Sequence, residues 1–460
     1  MSIKVFYCYA REDKGLRASL EKHLGNLKRQ ELITGWSDRN IDVGKEWAKE
    51  IDSNLNAANI ILLLISPDFL HSEYCYSIEM MHALERHENG TARVIPIILR
   101  PVEYEGAPFC RLQALPTDAI PVTDRKWRTR DEAFRDIAQG IRKVVNELLS
   151  EQFVYTGNIH FYREQYDDAL KAFERAISIN STNVSAYVGQ GETLLQLISK
   201  QDDGVGSVYH RKAITSFERA INLDNTSVRA YIGKGKALYA LYEPFEEENQ
   251  MLEALEQAIS LDPENEDAYI IMGDVLMAFF RYKEAASAYQ KAIEVATFFN
   301  RHAYNGKGNA LYNLERYEET LIAYDSVIHE LPDRGDAYKQ RGDTLYQLNR
   351  YQEALIAYEQ AISLNYLNAS TFTQKGNALS QLNQYQESLA AYELAIQFSS
   401  SSFEEKEAYR GKGNVLQFFA QEAFKKAGVP GTGDPLLPKA VVLASESGDP
   451  FLPDYPEEFN

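Results

Sequence analysis

Cysteine and tryptophan are the scarce residues of this chain, three of each in 460 positions. Three cysteines (Cys8, Cys75 and Cys110) with no C-x-x-C pair give neither a disulfide framework nor a zinc site, and they fit a reduced, cytoplasmic setting. No metal is expected: His82 and His87, five apart, lack metal-ligand spacing and read as solvated. No apolar run approaches the ~20 residues of a membrane span. The opening Met1-Ser2-Ile3-Lys4-Val5-Phe6 has no signal-peptide core and reads as an immediate strand. No G-x-G-x-x-G follows that strand, so the usual dinucleotide fingerprint is missing. Positive charge is also short. The net charge is −19, and the acidic part of the chain beyond residue 150 argues against nucleic acid as its main partner, because phosphates would be repelled.

What is present is uneven. The chain is 45% hydrophobic and 25% charged, an ordinary globular composition. Residues 1–150 hold all the tryptophans and cysteines, only five of the 29 tyrosines, and a net charge of −1; the other 310 residues carry −18. This shift sets a boundary near residue 150; with the end of the repeat pattern described below, it divides the chain into 1–150, 151–425 and 426–460.

In the first segment short apolar runs alternate with amphipathic stretches. Strands are expected at Lys4–Tyr9, Leu32–Trp36, Asn59–Ile65, Arg93–Leu99 and Ala119–Val122. Helices are expected at Lys14–Lys28, from about Lys45 to Ala57, at Glu73–Arg86 and at Asp131–Leu149. Ser66–Leu70 reads as a loop. Alternation of this kind means a parallel sheet covered on both faces, an α/β fold. Glu79, in Tyr74-Cys75-Tyr76-Ser77-Ile78-Glu79, then falls near the carboxyl edge of the strand ending at Ile65, where ligands bind in open α/β sheets. Cys75 reads as buried and inert.

Four boxes in order make the segment specific: Tyr9-Ala10-Arg11 after the first strand, the loop from Trp36 to Trp47, the strand ending Ile65-Ser66-Pro67, and the S-x-aromatic-Cys box before a Glu. Together they resemble a bacterial Toll/interleukin-1 receptor (TIR) domain over residues 1 to about 150. The resemblance implies a flavodoxin-like sheet and NAD⁺ glycohydrolase activity with Glu79 as the catalytic carboxylate. NAD⁺ would be the substrate, with no cofactor. It further implies phosphate or ribose contacts from Arg11, Asp38, Arg39 and Lys45, and stacking by Tyr9 or Trp47. Two departures stand out. Many family members place the Glu four residues after the aromatic, whereas Tyr74 and Glu79 are five apart, which leaves Glu73 as the alternative. The loop usually carries Pro-Gly, and here it reads Val43-Gly44.

The chemistry suits a single carboxylate. Cleaving the nicotinamide–ribose bond creates an oxocarbenium-like ribosyl cation. A carboxylate facing that charge stabilises the transition state more than the substrate. Nicotinamide leaves from a cationic state, so neither a general acid nor a metal is required.

Beyond residue 150 self-similarity dominates. Aromatic-x-x-x-Gly recurs at Gly191, Gly235, Gly273, Gly308, Gly342, Gly376 and Gly413, in steps of 44, 38, 35, 34, 34 and 37, with Gly157 placed 34 before Gly191. A second motif trails each first one, as in Tyr351-Gln-Glu-Ala-Leu-Ile-Ala-Tyr. This is similar to the tetratricopeptide repeat (TPR): about seven repeats over 152–424 and a terminal helix around Ala408–Phe424, with insertions near 199–207 and 242–250. The G-K-G triplets at 233, 306 and 411 fall inside repeat helices and are not phosphate loops. The aromatic stripe reads as inter-helix core. An α-solenoid with a peptide- or protein-binding groove is the expectation. Residues 426–460, rich in Pro, Gly and acid, read as an irregular tail.

The combined expectation is an NAD⁺-cleaving enzyme, yielding ADP-ribose or a cyclised isomer. Ligand binding or self-association through the repeats gates it, in bacterial stress or antiphage defence. The alternative is a non-catalytic TIR–TPR scaffold that joins proteins.

Overall fold

A computed structural model of the chain describes residues 2–36, 47–198, 206–241 and 248–426. The chain divides into two compact units, 1–233 and 234–460.

The first unit begins with a four-stranded, all-parallel sheet in the order β2-β1-β3-β4: β1 (Ile3–Tyr9), β2 (Ile33–Trp36), β3 (Ile60–Ile65) and β4 (Arg93–Ile98). Every residue of β3 is buried. That is why its sequence is one unbroken apolar run: a central parallel strand has no wet face. Alternate side chains feed two cores. Val5, Leu62 and Ile97 pack on one face with Leu20 and Ile137, and Phe6, Leu63 and Ile98 pack on the other with Leu55 and Ala83.

The helices of this part are α1 (Lys14–His23), α2 (Gly25–Arg29), α3 (Trp47–Ala57), α4 (Pro67–His71), α5 (Met81–Glu88) and α6 (Arg130–Tyr162). The helix expected over Lys14–Lys28 is thus two helices. The expected loop Ser66–Leu70 contains α4, whose Ser66 cap accepts from the Phe69 amide at 3.1 Å with Pro67 in the first turn. Among the described residues no strand forms at Ala119–Val122. Pro116 and Pro121 lack the amide a ladder needs, and Asp118 and Ala119 have φ of 59° and 54°. A single bridge, Ile97 to Leu115, takes the strand's place beside β4.

The helix expected to close at Leu149 runs on to Tyr162. Thr129 caps α6 by accepting from the Glu132 amide at 3.2 Å. Its first half buries Phe134, Ile137, Ile141 and Val145 against the sheet. Its second half brings Gly157 against Phe173 of α7 (Tyr166–Ile179). Between the halves, fully buried Ser150 donates to the Ala176 carbonyl at 2.9 Å and accepts from Asn183 Nδ2 at 2.8 Å. One helix therefore serves both the sheet core and the first helix pair. The unit continues with α8 (Val184–Ile198) and α9 (Gly206–Leu223), and α10 (Val228–Leu241) crosses into the second unit.

The second unit holds α11 (Glu248–Leu261), α12 (Glu266–Ala278), α13 (Tyr282–Val295), α14 (Arg301–Asn313), α15 (Tyr317–Glu330), α16 (Gly335–Gln347), α17 (Tyr351–Ser363), α18 (Ala369–Gln381), α19 (Tyr385–Gln397) and α20 (Ser402–Lys426). Consecutive helices pack on one another throughout. In α12, α14, α16 and α18 the glycine of the first helix is a slot for the aromatic ring of the second, whereas Gly235 of α10 faces Leu255. A Cβ on Gly342 would lie 2.6 Å from the Tyr358 ring, and one on Gly273 2.6 Å from Tyr289. The G-x-G pairs work from both sides: Gly306 receives the ring of Tyr289 from the preceding helix, and Gly308 that of Tyr324 from the following one. Each buried tyrosine then needs an acceptor. It finds one at the residue after the glycine: Tyr289 to Asp274 (2.6 Å), Tyr324 to Asn309 (2.7 Å), Tyr358 to Asp343 (3.0 Å) and Tyr392 to Asn377 (2.7 Å). The expected insertions lie largely outside the described residues, and the tail from 427 onward lies wholly outside them.

Candidate active site

The strand order reverses between β1 and β3, so the crevice of this sheet opens at their carboxyl ends. A cavity of 380 Å³ lies there, lined by Tyr9, Arg11, Trp36, Tyr74, Cys75 and Glu79 among others. Of the residues singled out from the sequence, the structure brings Tyr9, Arg11 and Glu79 together. Asp38, Arg39 and Lys45 lie outside the described residues. Trp47 opens α3, but its side chain is also outside them. Glu73 is exposed and is not part of the wall.

The five-residue spacing of Tyr74 and Glu79 has a local cause. Tyr74–Met80 is a π-helix, which runs directly into α5. A π-turn bonds residue i to i+5, so two residues five apart share a face. Tyr74 and Glu79 accordingly both face the cavity.

Glu79 is 7% exposed, and the Cys8 thiol donates to its Oε2 at 2.7 Å. Cys8 is fully buried on β1, and burial first, then contact with Cys75 and Glu79, pushes its thiol well up. Cys75 moves the other way, down to about 7. Its largest cause is the hydrogen bond with Cys8, which outweighs burial, and Ser72 adds to it. Cys75 is buried, as expected, and it also lies on the cavity wall with its thiol lowered. The Tyr74 phenol is pushed up to about 12, by burial and then by the charge of Glu79.

Several contributors were not evident in the sequence. Trp36, at the end of β2, stacks on Phe6 with centroids 5.2 Å apart and lines the cavity. The pairing register that sets Phe6 beside Trp36 is the signal that would have found it. Arg17, buried on α1, lies 5.0 Å from the Tyr9 ring centroid and holds it from behind. The exit from β1, the short turn Arg11–Asp13, is tied down through buried Asp13, which accepts from the Ser66 hydroxyl and pairs with Arg100 Nε at 2.9 Å. Arg100 also pairs with Asp68, and the two carboxylates, Asp68 foremost, push its guanidinium up. One cation thus gathers the segments leaving β1, β3 and β4. The described residues hold no cluster of His, Cys, Asp and Glu suited to a metal ion. None of the helices they form is long and apolar enough to cross a membrane.

Family models match both parts of the chain. Residues 5–138 match the family model described as TIR domain. Models described as TPR repeat and tetratricopeptide repeat match 157–197, 252–297, 281–335, 335–368 and 369–401. An uncharacterised protein of Sinorhizobium fredii, y4lF, is 47% identical over 144 residues, 31% of this chain and 44% of that protein. The match thus spans less than half the length of that relative. Among solved structures, a tetratricopeptide repeat protein from Parabacteroides merdae aligns with a TM-score of 0.42 at 14% identity, covering 58% of this chain and 99% of that one. YrrB, described as a TPR protein with an unusual peptide-binding site, aligns with a TM-score of 0.36 at 21% identity, covering 42% and 97%. This chain carries a TIR domain followed by tetratricopeptide repeats.

Proposed function

We propose that the chain cleaves NAD⁺ at the nicotinamide–ribose bond. The observation that carries this reading is the Glu79 carboxylate on the wall of a cavity shared with Tyr9 and Arg11, at the sheet edge where such ligands bind. In this reading Glu79 holds ribose hydroxyls and faces the cation that develops as nicotinamide departs neutral. Water then attacks the anomeric carbon, giving ADP-ribose and a proton; attack by the adenine gives the cyclised isomer. Arg11 meets a phosphate. Tyr9 and Trp36 offer faces to a base, and Asp38, Arg39, Lys45 and Trp47 supply further contacts from their loop.

The repeats serve protein or peptide interaction. In the proposed mechanism, capture of such a ligand, or self-association, raises the local concentration of TIR domains to roughly millimolar and completes the site. A cytoplasmic role in bacterial stress or antiphage defence follows from this reading. A second reading, a scaffold whose TIR domain only docks other TIR domains, is favoured by Ile78 and Met81. Both are exposed apolar residues, Ile78 on the π-helix that carries Glu79 and Met81 at the start of α5, into which it runs.

The deciding experiment incubates purified full-length protein with NAD⁺, with and without a crowding agent that forces assembly, and measures free nicotinamide. Release that disappears in Glu79→Ala supports the enzyme. Absence of release under every assembly condition favours the scaffold.

A further inference from the structure

Two of the three cysteines of the chain belong to the core that borders the cavity. Cys75 lies on its wall, and its sulfur is 3.6 Å from the carbonyl oxygen of Tyr9, the residue after Cys8. Cys8 is fully buried behind it and is hydrogen-bonded to Cys75 as well as to Glu79. Cys8 has one S–H hydrogen and two acceptors for it, the Glu79 carboxylate and the Cys75 sulfur. The third cysteine, Cys110, is exposed and remote in sequence from both.

We infer that Cys75 and Cys8 form an oxidisable thiol pair, in which Cys75 attacks a hydroperoxide admitted through the cavity and Cys8 resolves the product to a disulfide. The Cys75 sulfur bonds to one peroxide oxygen and the O–O bond breaks. The other oxygen leaves as an alcohol or water after taking a proton, and Cys75 becomes a sulfenic acid. Cys8 then gives its proton to the Glu79 carboxylate, already its acceptor at 2.7 Å. Its sulfur attacks Cys75, the S–O bond breaks, and the departing hydroxide takes that proton to leave as water. Two thiols lose two electrons and two protons, and the hydroperoxide accepts them. The lowered thiol of Cys75 suits the attacking role, and the raised thiol of Cys8 suits the role of waiting partner. Oxidation would also remove the hydrogen that Glu79 receives, so the redox state and the carboxylate are coupled. The pair rests on Cys75 at the cavity wall beside the Tyr9 carbonyl and on Cys8 buried behind it, and does not depend on NAD⁺ being the substrate.

The test uses full-length wild-type protein treated with hydrogen peroxide, then digested without reduction and mapped by mass spectrometry. A peptide joining Cys8 to Cys75, lighter by two hydrogens than the separate peptides, is expected. Dimedone should label Cys75 in Cys8→Ser and leave Cys8 unlabelled in Cys75→Ser, with far-UV circular dichroism showing that each variant is folded. The inference is overturned if peroxide oxidises Cys110 while Cys8 and Cys75 remain thiols. It is equally overturned if Cys75 proceeds to sulfinic acid in wild type with no cross-linked peptide.

Discussion

Tyr74 and Glu79 stand five residues apart and line the same cavity, because the backbone between them is π-helical. An α-turn would have put Ile78 beneath Tyr74; Ile78 is instead 55% exposed. One extra residue in the turn therefore decides which side chain reaches the cavity. Deleting Ser77 should convert the turn to α-helix while leaving the sheet core untouched. Circular dichroism should then show an unchanged fold, and the cavity should keep a carboxylate at the shortened spacing.

Trp36 should matter to ligand affinity. Removing its ring in Trp36→Ala deletes one aromatic wall. A stacking interaction of about 0.5–1.5 kcal/mol corresponds to roughly 2- to 12-fold weaker binding. Titration calorimetry with NAD⁺ should show this loss, and thermal unfolding separates it from destabilisation through the lost contact with Phe6.

The repeat glycines should tolerate no methyl group. In Gly342→Ala the new Cβ would start 2.6 Å from the Tyr358 ring, and overpacking of this kind costs about 1–3 kcal/mol. Thermal unfolding should show a lower midpoint than wild type.

Asp343 should give the second unit a pH dependence. Burial raises its carboxyl pKa, against the pull of Lys339 at 2.6 Å. The folded state therefore holds this proton more tightly than the unfolded chain does. The contribution of Asp343 to stability is full below the ordinary aspartate value and falls as pH rises through the raised one. Denaturant titrations across that range should show a component of declining stability that Asp343→Asn removes.

Cys75 should react with iodoacetamide at a rate that rises through pH of about 7, following its lowered thiol. In Cys8→Ser the titration should move, because the hydrogen bond from Cys8 is the largest cause of the lowering. Peptide mapping assigns the rate to Cys75 and not to exposed Cys110.

Much of this architecture was legible in the sequence. The run Ile60–Ile65 announced a buried strand, and the recurrence of Gly308, Gly342 and Gly376 announced helix pairs, since only a small residue leaves room for the facing ring. What escaped has physical causes. The π-turn looked like a spacing error, because a five-residue step has no meaning in an α-helix. Trp36 looked like the edge of a loop until pairing with β1 set it against Phe6. Nothing in the sequence marks Arg17 or Arg100, and only the fold buries one under Tyr9 and draws the other between Asp13 and Asp68. The composition shift near residue 150 hides the continuity of α6, which Gly157, one repeat length before Gly191, marks.

The most direct measurement is nicotinamide released from NAD⁺ by wild type, Glu79→Ala and Glu73→Ala under assembly-promoting conditions. The account predicts release by wild type and by Glu73→Ala, and none above background by Glu79→Ala. Release that survives in Glu79→Ala and is lost in Glu73→Ala would contradict it.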